Sequence, residues 1–161
     1  MHFKELAAYR VRRIAESILG MAEELFARHL GIRALEWRVL VKLAETPGSI
    51  STEIGRDMLL TPVQTGRCLQ RLREANMVVA MPDPEDGRAT RYTLTHPGRR
   101  AHEAGTRIVL EVQRYALRDF SAVETVALNN LLERLMASSS YGEDDVERLS
   151  AALFAGKRDQ A

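Results

Sequence analysis

The chain is poor in the residues that make covalent or metallic cross-links. Its 161 residues include one cysteine, Cys68, and 4 histidines. A single thiol excludes an intramolecular disulfide and any CxxC metal cluster. His96 and His102 are poorly spaced for two ligands on one helix, and His2 and His29 have no acidic or cysteine partner at ligand spacing. No metal and no other cofactor is therefore expected. Long apolar runs are also missing: nothing approaches the roughly 18 consecutive apolar residues of a membrane-spanning helix. The opening Met1-His2-Phe3-Lys4-Glu5 lacks the basic-then-apolar layout of a signal peptide, so a cytoplasmic protein is expected. No GxSxG, HExxH, phosphate-binding glycine loop or dinucleotide fingerprint occurs, and catalysis is not expected.

Lysine is scarce as well. Of the 23 basic residues only Lys4, Lys42 and Lys157 are lysine, and the rest are arginine. Arginine makes planar, bidentate contacts to phosphate and guanine that lysine cannot copy. A GC-rich coding sequence would give the same bias. With a net charge of +1, composition permits nucleic-acid binding without establishing it. A content of 45% hydrophobic and 28% charged residues suits a folded chain with a core of its own.

Periodicity predicts a mainly helical protein. From Phe3 to Leu30 the apolar positions Val11, Ile14, Ile18, Met21 and Leu25 step by threes and fours, a narrow seam of coiled-coil type, and Gly31 closes the helix. A second helix spans Leu35 to Glu45 and ends before Thr46-Pro47-Gly48. Ser51 or Thr52 can cap a short third helix whose inward face is Ile54 with Met58 or Leu59. Thr61-Pro62 opens a fourth helix, with threonine as cap and proline at the first helical position, running to about Ala75. Asn76 then suits a left-handed terminator.

The pattern next turns to strands. Met77 to Met81 is β-prone, Pro82 to Gly87 is a charged loop, and Arg88 to Thr95 alternates as a return strand. A long helix follows from about Pro97 to Asp119, with a seam of Ala101, Gly105, Ile108, Val112 and Tyr115. Ser121 and Glu124 form a capping box for another helix carrying Val123, Leu128, Leu131, Leu132 and Leu135. A last short helix covers Asp144 to Phe154. This order of elements is that of a winged helix-turn-helix with a small β-hairpin wing and long flanking helices.

From Arg67 to Arg99 the chain reads RCLQRLREANMVVAMPDPEDGRATRYTLTHPGR. This resembles the recognition helix and wing of the MarR family of bacterial transcriptional regulators. The matching pieces are Leu72-Arg73-Glu74, Asp83…Asp86-Gly87-Arg88, Leu94-Thr95 and Gly98-Arg99, with LEWRVLVKLAE over 35–45 and Ser121-Ala122-Val123-Glu124. The likeness covers residues 4 to about 137. Asn76 stands where the family usually has glycine, Ala80 where a basic residue is common, and Gly66 where a small hydroxyl residue is common. The resemblance implies one domain over 1–161, with a winged core at about 34–97 and dimerisation helices at about 3–30 and 98–155. It further implies a cytoplasmic homodimer on a palindromic DNA operator, a repressor released by a small aromatic or anionic ligand. The alternative is a winged helix used for protein–protein contact.

On the fourth helix, about 100° per residue puts Thr65, Leu69, Leu72 and Asn76 on one side. Val63, Gln64, Arg67, Gln70 and Arg71 then face outward. Gln64 suits adenine, Arg67 or Arg71 suits guanine, and Val63 suits a thymine methyl. Arg88 suits a minor groove, held by Asp86 or Asp83. Thr52, Thr61 and Arg91 are candidates for DNA backbone contacts. Family members hold ligands between dimer arms and winged core, which nominates Tyr9, Arg12, Arg13, Trp37 and Arg38. Seams on the flanking helices fit packing within one subunit or against a second copy. Cys68, inside the fourth helix, reads as a small buried thiol rather than a redox sensor.

Overall fold

The computed structural model describes residues 2–84 and 89–154, apart from the side chain of Phe154. Two compact units emerge, Met1–Ala116 and Leu117–Ala161. In the first, a single 3-10 turn at Phe3–Glu5 precedes α1 (Ala7–Leu30). The helix expected from Phe3 is thus broken at Leu6, which is extended at ψ 132°. Gly31 closes α1 in the left-handed region at φ 65°, a conformation open to glycine without steric cost.

The winged core follows as α2 (Ala34–Glu45), β1 (Ser49–Ile50), α3 (Ser51–Met58), α4 (Pro62–Glu74), β2 (Val78–Pro82) and β3 (Thr90–Leu94). The sheet is antiparallel in the order β1-β3-β2, with Val78 opposite Leu94 and Ser49 opposite Tyr92. Strand β1 adds to the expected hairpin; two residues are too few to leave a periodic signal. It also moves the cap of α3, which is neither Ser51 nor Thr52. Ile50 takes that place, extended because it pairs with Arg91, and its N–H donates to Glu53 Oε2 at 3.0 Å.

The core gathers Phe26 from α1, Val39, Leu40 and Leu43 from α2, Ile54 from α3, Leu69 and Leu72 from α4, and Val78 and Leu94 from the sheet. Only part of the α1 seam faces the core: Ile18 and Leu25 pack against it beside buried Ala22 and Phe26, whereas Val11, Ile14 and Met21 are exposed. Two ties bind α2 to α3. Lys42 Nζ pairs with Asp57 at 2.7 Å, which holds the Asp57 carboxyl below its ordinary range, and the Arg38 guanidinium donates to the Met58 carbonyl.

Helix α5 (His96–Ala116) joins this core through two glycines. Thr95 Oγ1 donates to the Asn76 carbonyl at 2.7 Å and accepts the Gly98 N–H at 3.1 Å, drawing the helix start onto the entry of β2. A Cβ on Gly98 would lie 1.9 Å from the Met77 carbonyl oxygen. Further along, a Cβ on Gly105 would meet the Trp37 indole at 2.2 Å. Trp37 stacks on Phe26 at 5.4 Å and donates its indole N–H to the His102 carbonyl at 3.2 Å.

In the second unit, α6 (Ala122–Ser138) starts with the expected capping box: Ser121 Oγ accepts the Glu124 N–H and the Glu124 carboxylate accepts the Ser121 N–H. After it comes α7 (Glu143–Phe154). Val123, Val126, Leu131, Met136 and Leu149 are exposed. Among the described residues no helix is long and apolar enough to cross a membrane.

The Gly98 contact is with backbone, which cannot swing aside. Gly98→Ala should therefore destabilise the fold by about 1–3 kcal/mol, read as a lower urea midpoint at unchanged slope.

Candidate nucleic-acid interface

Helices α3 and α4 form a tight helix-turn-helix because their crossing point is nearly free of side chains. A Cβ on Gly55 would sit 3.0 Å from Thr65 Oγ1 and 3.2 Å from the Leu60 carbonyl oxygen. Thr65 is fully buried there, its hydroxyl donating to the Thr61 carbonyl at 3.0 Å. Leu59 and Leu60 make the turn, with the Leu60 N–H donating to the Gly55 carbonyl at 2.8 Å. Leu59 is left-handed at φ 54°, ψ 47°. Such a backbone costs a branched residue about 1–2 kcal/mol. Of the two residues expected to face inward here, Met58 is half-buried while Leu59 is 86% exposed.

Thr61 caps α4 as expected, its Oγ1 accepting the Gln64 N–H at 3.2 Å. Gln64 returns the bond: its Oε1 accepts the Thr61 N–H at 2.9 Å. Reading adenine with both ends of the Gln64 amide would require that second bond to open. Pro62 occupies the first helical position, and Asn76 is left-handed at φ 54°. Thr65, Cys68, Leu69 and Leu72 are buried, whereas Asn76, expected on the same side, is exposed. The reason is that α4 ends at Glu74, before Asn76 can share its helical face.

On the open face, Val63, Gln64, Arg67, Gln70 and Arg71 are all exposed. Two of the arginines proposed for DNA differ in what holds them. Arg67 makes no ion pair or hydrogen bond among the described residues. Arg71 Nη1 donates to Glu36 Oε1 at 3.0 Å, and the Glu36 side chain is only 5% accessible. The second oxygen of that carboxylate accepts the Arg33 N–H at 2.8 Å, the first turn of α2. Between the α2 start and α4 lies a cavity of about 570 Å³ lined by Arg33, Glu36, Gln64, Arg67, Cys68 and Arg71.

The wing shows a similar division. Arg91 Nη2 pairs with Asp83 Oδ2 at 2.8 Å, and its Nη1 donates to the Gly48 carbonyl at 3.2 Å. Asp83 is buried just after β2, so Arg91 ties the end of that strand to the turn before β1. Arg88 and Asp86 lie outside the described residues. Thr52 is exposed near the start of α3.

The five ligand candidates do not line this cavity. Tyr9 meets Phe3 edge-on at 5.1 Å, Arg12 pairs with Glu16 at 2.7 Å, and Arg13 is exposed. Trp37 and Arg38 face the α5 and α3 contacts described above.

Cys68 is a buried thiol, pushed up from its ordinary pKa by burial and then by the Glu36 charge. The thiolate is the nucleophile, so iodoacetamide at pH 8 should modify native protein much more slowly than urea-unfolded protein. Arg71→Ala strands a buried carboxylate and should cost about 1–3 kcal/mol in urea unfolding. Glu36→Gln in the same chain should recover part of that loss.

A winged helix DNA-binding domain profile matches residues 32–98. The HTH-type transcriptional repressor IacR of Pseudomonas putida is 26% identical over 110 residues, 68% of this chain and 66% of that one. Wild-type MarR of E. coli superposes with a TM-score of 0.72 at 20% identity, over 81% of this chain and 96% of that one. BpsR of Bordetella bronchiseptica, whose DNA binding is regulated by 6-hydroxynicotinic acid, gives a TM-score of 0.76 at 19% identity, over 88% and 99%. The exposed α4 face, the wing and these likenesses agree: residues 32–98 form a winged helix DNA-binding domain, and the chain shares the fold of MarR.

Proposed function

We propose that this protein is a dimeric, sequence-specific transcriptional repressor of the cytoplasm, released from a palindromic operator by a small aromatic or anionic ligand. The observation that carries the reading is α4 itself: one side fully packed, the other presenting Val63, Gln64 and an Arg67 with no ion pair or hydrogen bond among the described residues. That is the chemistry of a helix in a major groove. Arg67 reads guanine, Gln64 adenine, and Arg88 enters the adjoining minor groove. Thr52 and Thr61 meet phosphates, while Arg71 and Arg91 set the angles of helix and wing. The repressor reading follows IacR, and the ligand reading follows BpsR.

One domain over 1–161 supplies both parts, with α1, α5 and α6 as dimerisation arms. Exposed Val11, Ile14 and Met21 on α1, Leu110 and Tyr115 on α5, and Val123, Leu131 and Leu135 on α6 support that role. Tyr9, Arg12 and Arg13 offer stacking and charge to a carboxylate, and Trp37 and Arg38 sit where α2 contacts α5 and α3.

Selection from random duplexes near 150 mM salt should enrich a palindrome of roughly 16–20 base pairs. Arg67→Ala should weaken binding and lower the slope of log affinity against log salt by about 1, whereas Arg91→Ala should weaken binding with the slope unchanged. No enrichment by folded, dimeric protein would overturn the regulator reading and favour a protein-binding winged helix.

A further inference from the structure

Among the described residues, Leu59 and Asn76 are the two non-glycine positions with positive φ. Asparagine suits that region, and leucine does not. The turn between α3 and α4 explains the backbone: the Leu59 N–H donates to Arg56 and Gly55 carbonyls, and Leu60 must be buried two residues after α3 ends. Glycine would satisfy the same turn without strain. The side chain is what the fold leaves unexplained. It is 86% exposed, more than any other large apolar side chain among the described residues, and adds nothing to the core.

Its setting is specific. Within residues 32–98 the exposed large apolar side chains are Leu59, Val63, Val79 and Met81. Two stand on the wing strand β2. The other two flank the Thr61-Pro62 entry of α4, one two residues before the cap and one at the second helical position. An apolar pair at the leading end of this helix meets water in the free protein. Strain held at an exposed position points to function rather than to stability.

We propose that Leu59, together with Val63, is a specificity-determining residue that packs against thymine 5-methyl groups at the edge of the major groove. The methyl is the apolar mark that distinguishes thymine from the other bases there. This inference rests on the DNA-binding reading above, since α4 must face the groove for Leu59 to reach it.

The test uses the selected operator and a set of duplexes in which each thymine is replaced in turn by deoxyuridine, which lacks only the methyl. At one thymine or more per half-site, the replacement should weaken wild-type binding three- to tenfold. Leu59→Gly should lose a similar factor on the thymine duplex and be insensitive to deoxyuridine at that position. Its urea midpoint should be no lower than wild type, which separates the loss from misfolding, and Leu59→Met should bind within twofold of wild type. A Leu59→Gly protein that binds as tightly as wild type would overturn the proposal, as would deoxyuridine effects that persist in it unchanged. Failure of wild-type protein to select any operator would be a separate result, counting against the DNA-binding reading itself.

Discussion

The recognition helix is held in place by a carboxylate that solvent scarcely reaches. Glu36 accepts the Arg33 N–H with one oxygen and the Arg71 guanidinium with the other. The first bond closes the start of α2, and the second fixes the C-terminal half of α4 against it. A buried carboxylate stripped of partners is costly, so neither bond is readily given up. The lever arm matters here. Arg71 is one turn beyond Arg67 on the same helix, so the direction in which Arg67 points is set partly by the Arg71–Glu36 bond. Arg91 does the same for the wing through Asp83 and Gly48. Arg67, which no described residue holds, thus differs from Arg71 and Arg91, which brace helix and wing.

The helix ends and turns were largely legible in the sequence because their signals are local. Thr61-Pro62, Asn76, Gly31 and the Ser121–Glu124 box each act within four residues, and each does what its chemistry dictates. What was hidden acts at a distance. Glu36 and Arg71 are 35 positions apart, and Arg91 and Gly48 are 43 apart. An arginine on an outward face gives no sequence signal of the tertiary partner that holds it. Strand β1 escaped for the opposite reason: it is two residues long, and only pairing with β3 defines it. Leu59 left a faint trace. A helix that must stop before a threonine cap, with no glycine or asparagine to stop it, forces some other residue into the left-handed region.

Glycine has a second use in this fold, in contacts rather than turns. Gly55, Gly98 and Gly105 each mark a place where two elements meet too closely for a Cβ. Gly55 lets α3 and α4 cross at the turn. Gly98 sets the start of α5 against the chain entering β2, and Gly105 admits the Trp37 ring. The Trp37 contact is why a residue nominated as a ligand wall is also a packing residue: its indole is clasped by Phe26, Gly105 and the His102 carbonyl. A ligand that displaced Trp37 would have to break that set of contacts first.

Helix α2 is the element through which any such displacement would travel. It contacts α1, α5, α3, α4 and β3. Trp37 and Arg38 are adjacent on α2 yet face different neighbours, α5 for the indole and the end of α3 for the guanidinium. Glu36, one residue earlier, holds α4. Three consecutive residues therefore bond the long helix α5, the first helix of the helix-turn-helix and the recognition helix. A rotation of α2 small enough to keep its hydrophobic contacts would still change all three polar bonds together. Hydrogen bonds lose strength steeply with misalignment, whereas apolar contacts tolerate sliding. The polar bonds of 36–38, with the Lys42–Asp57 pair, are thus the directional ties between α2 and its neighbours, set within a larger and less directional apolar interface.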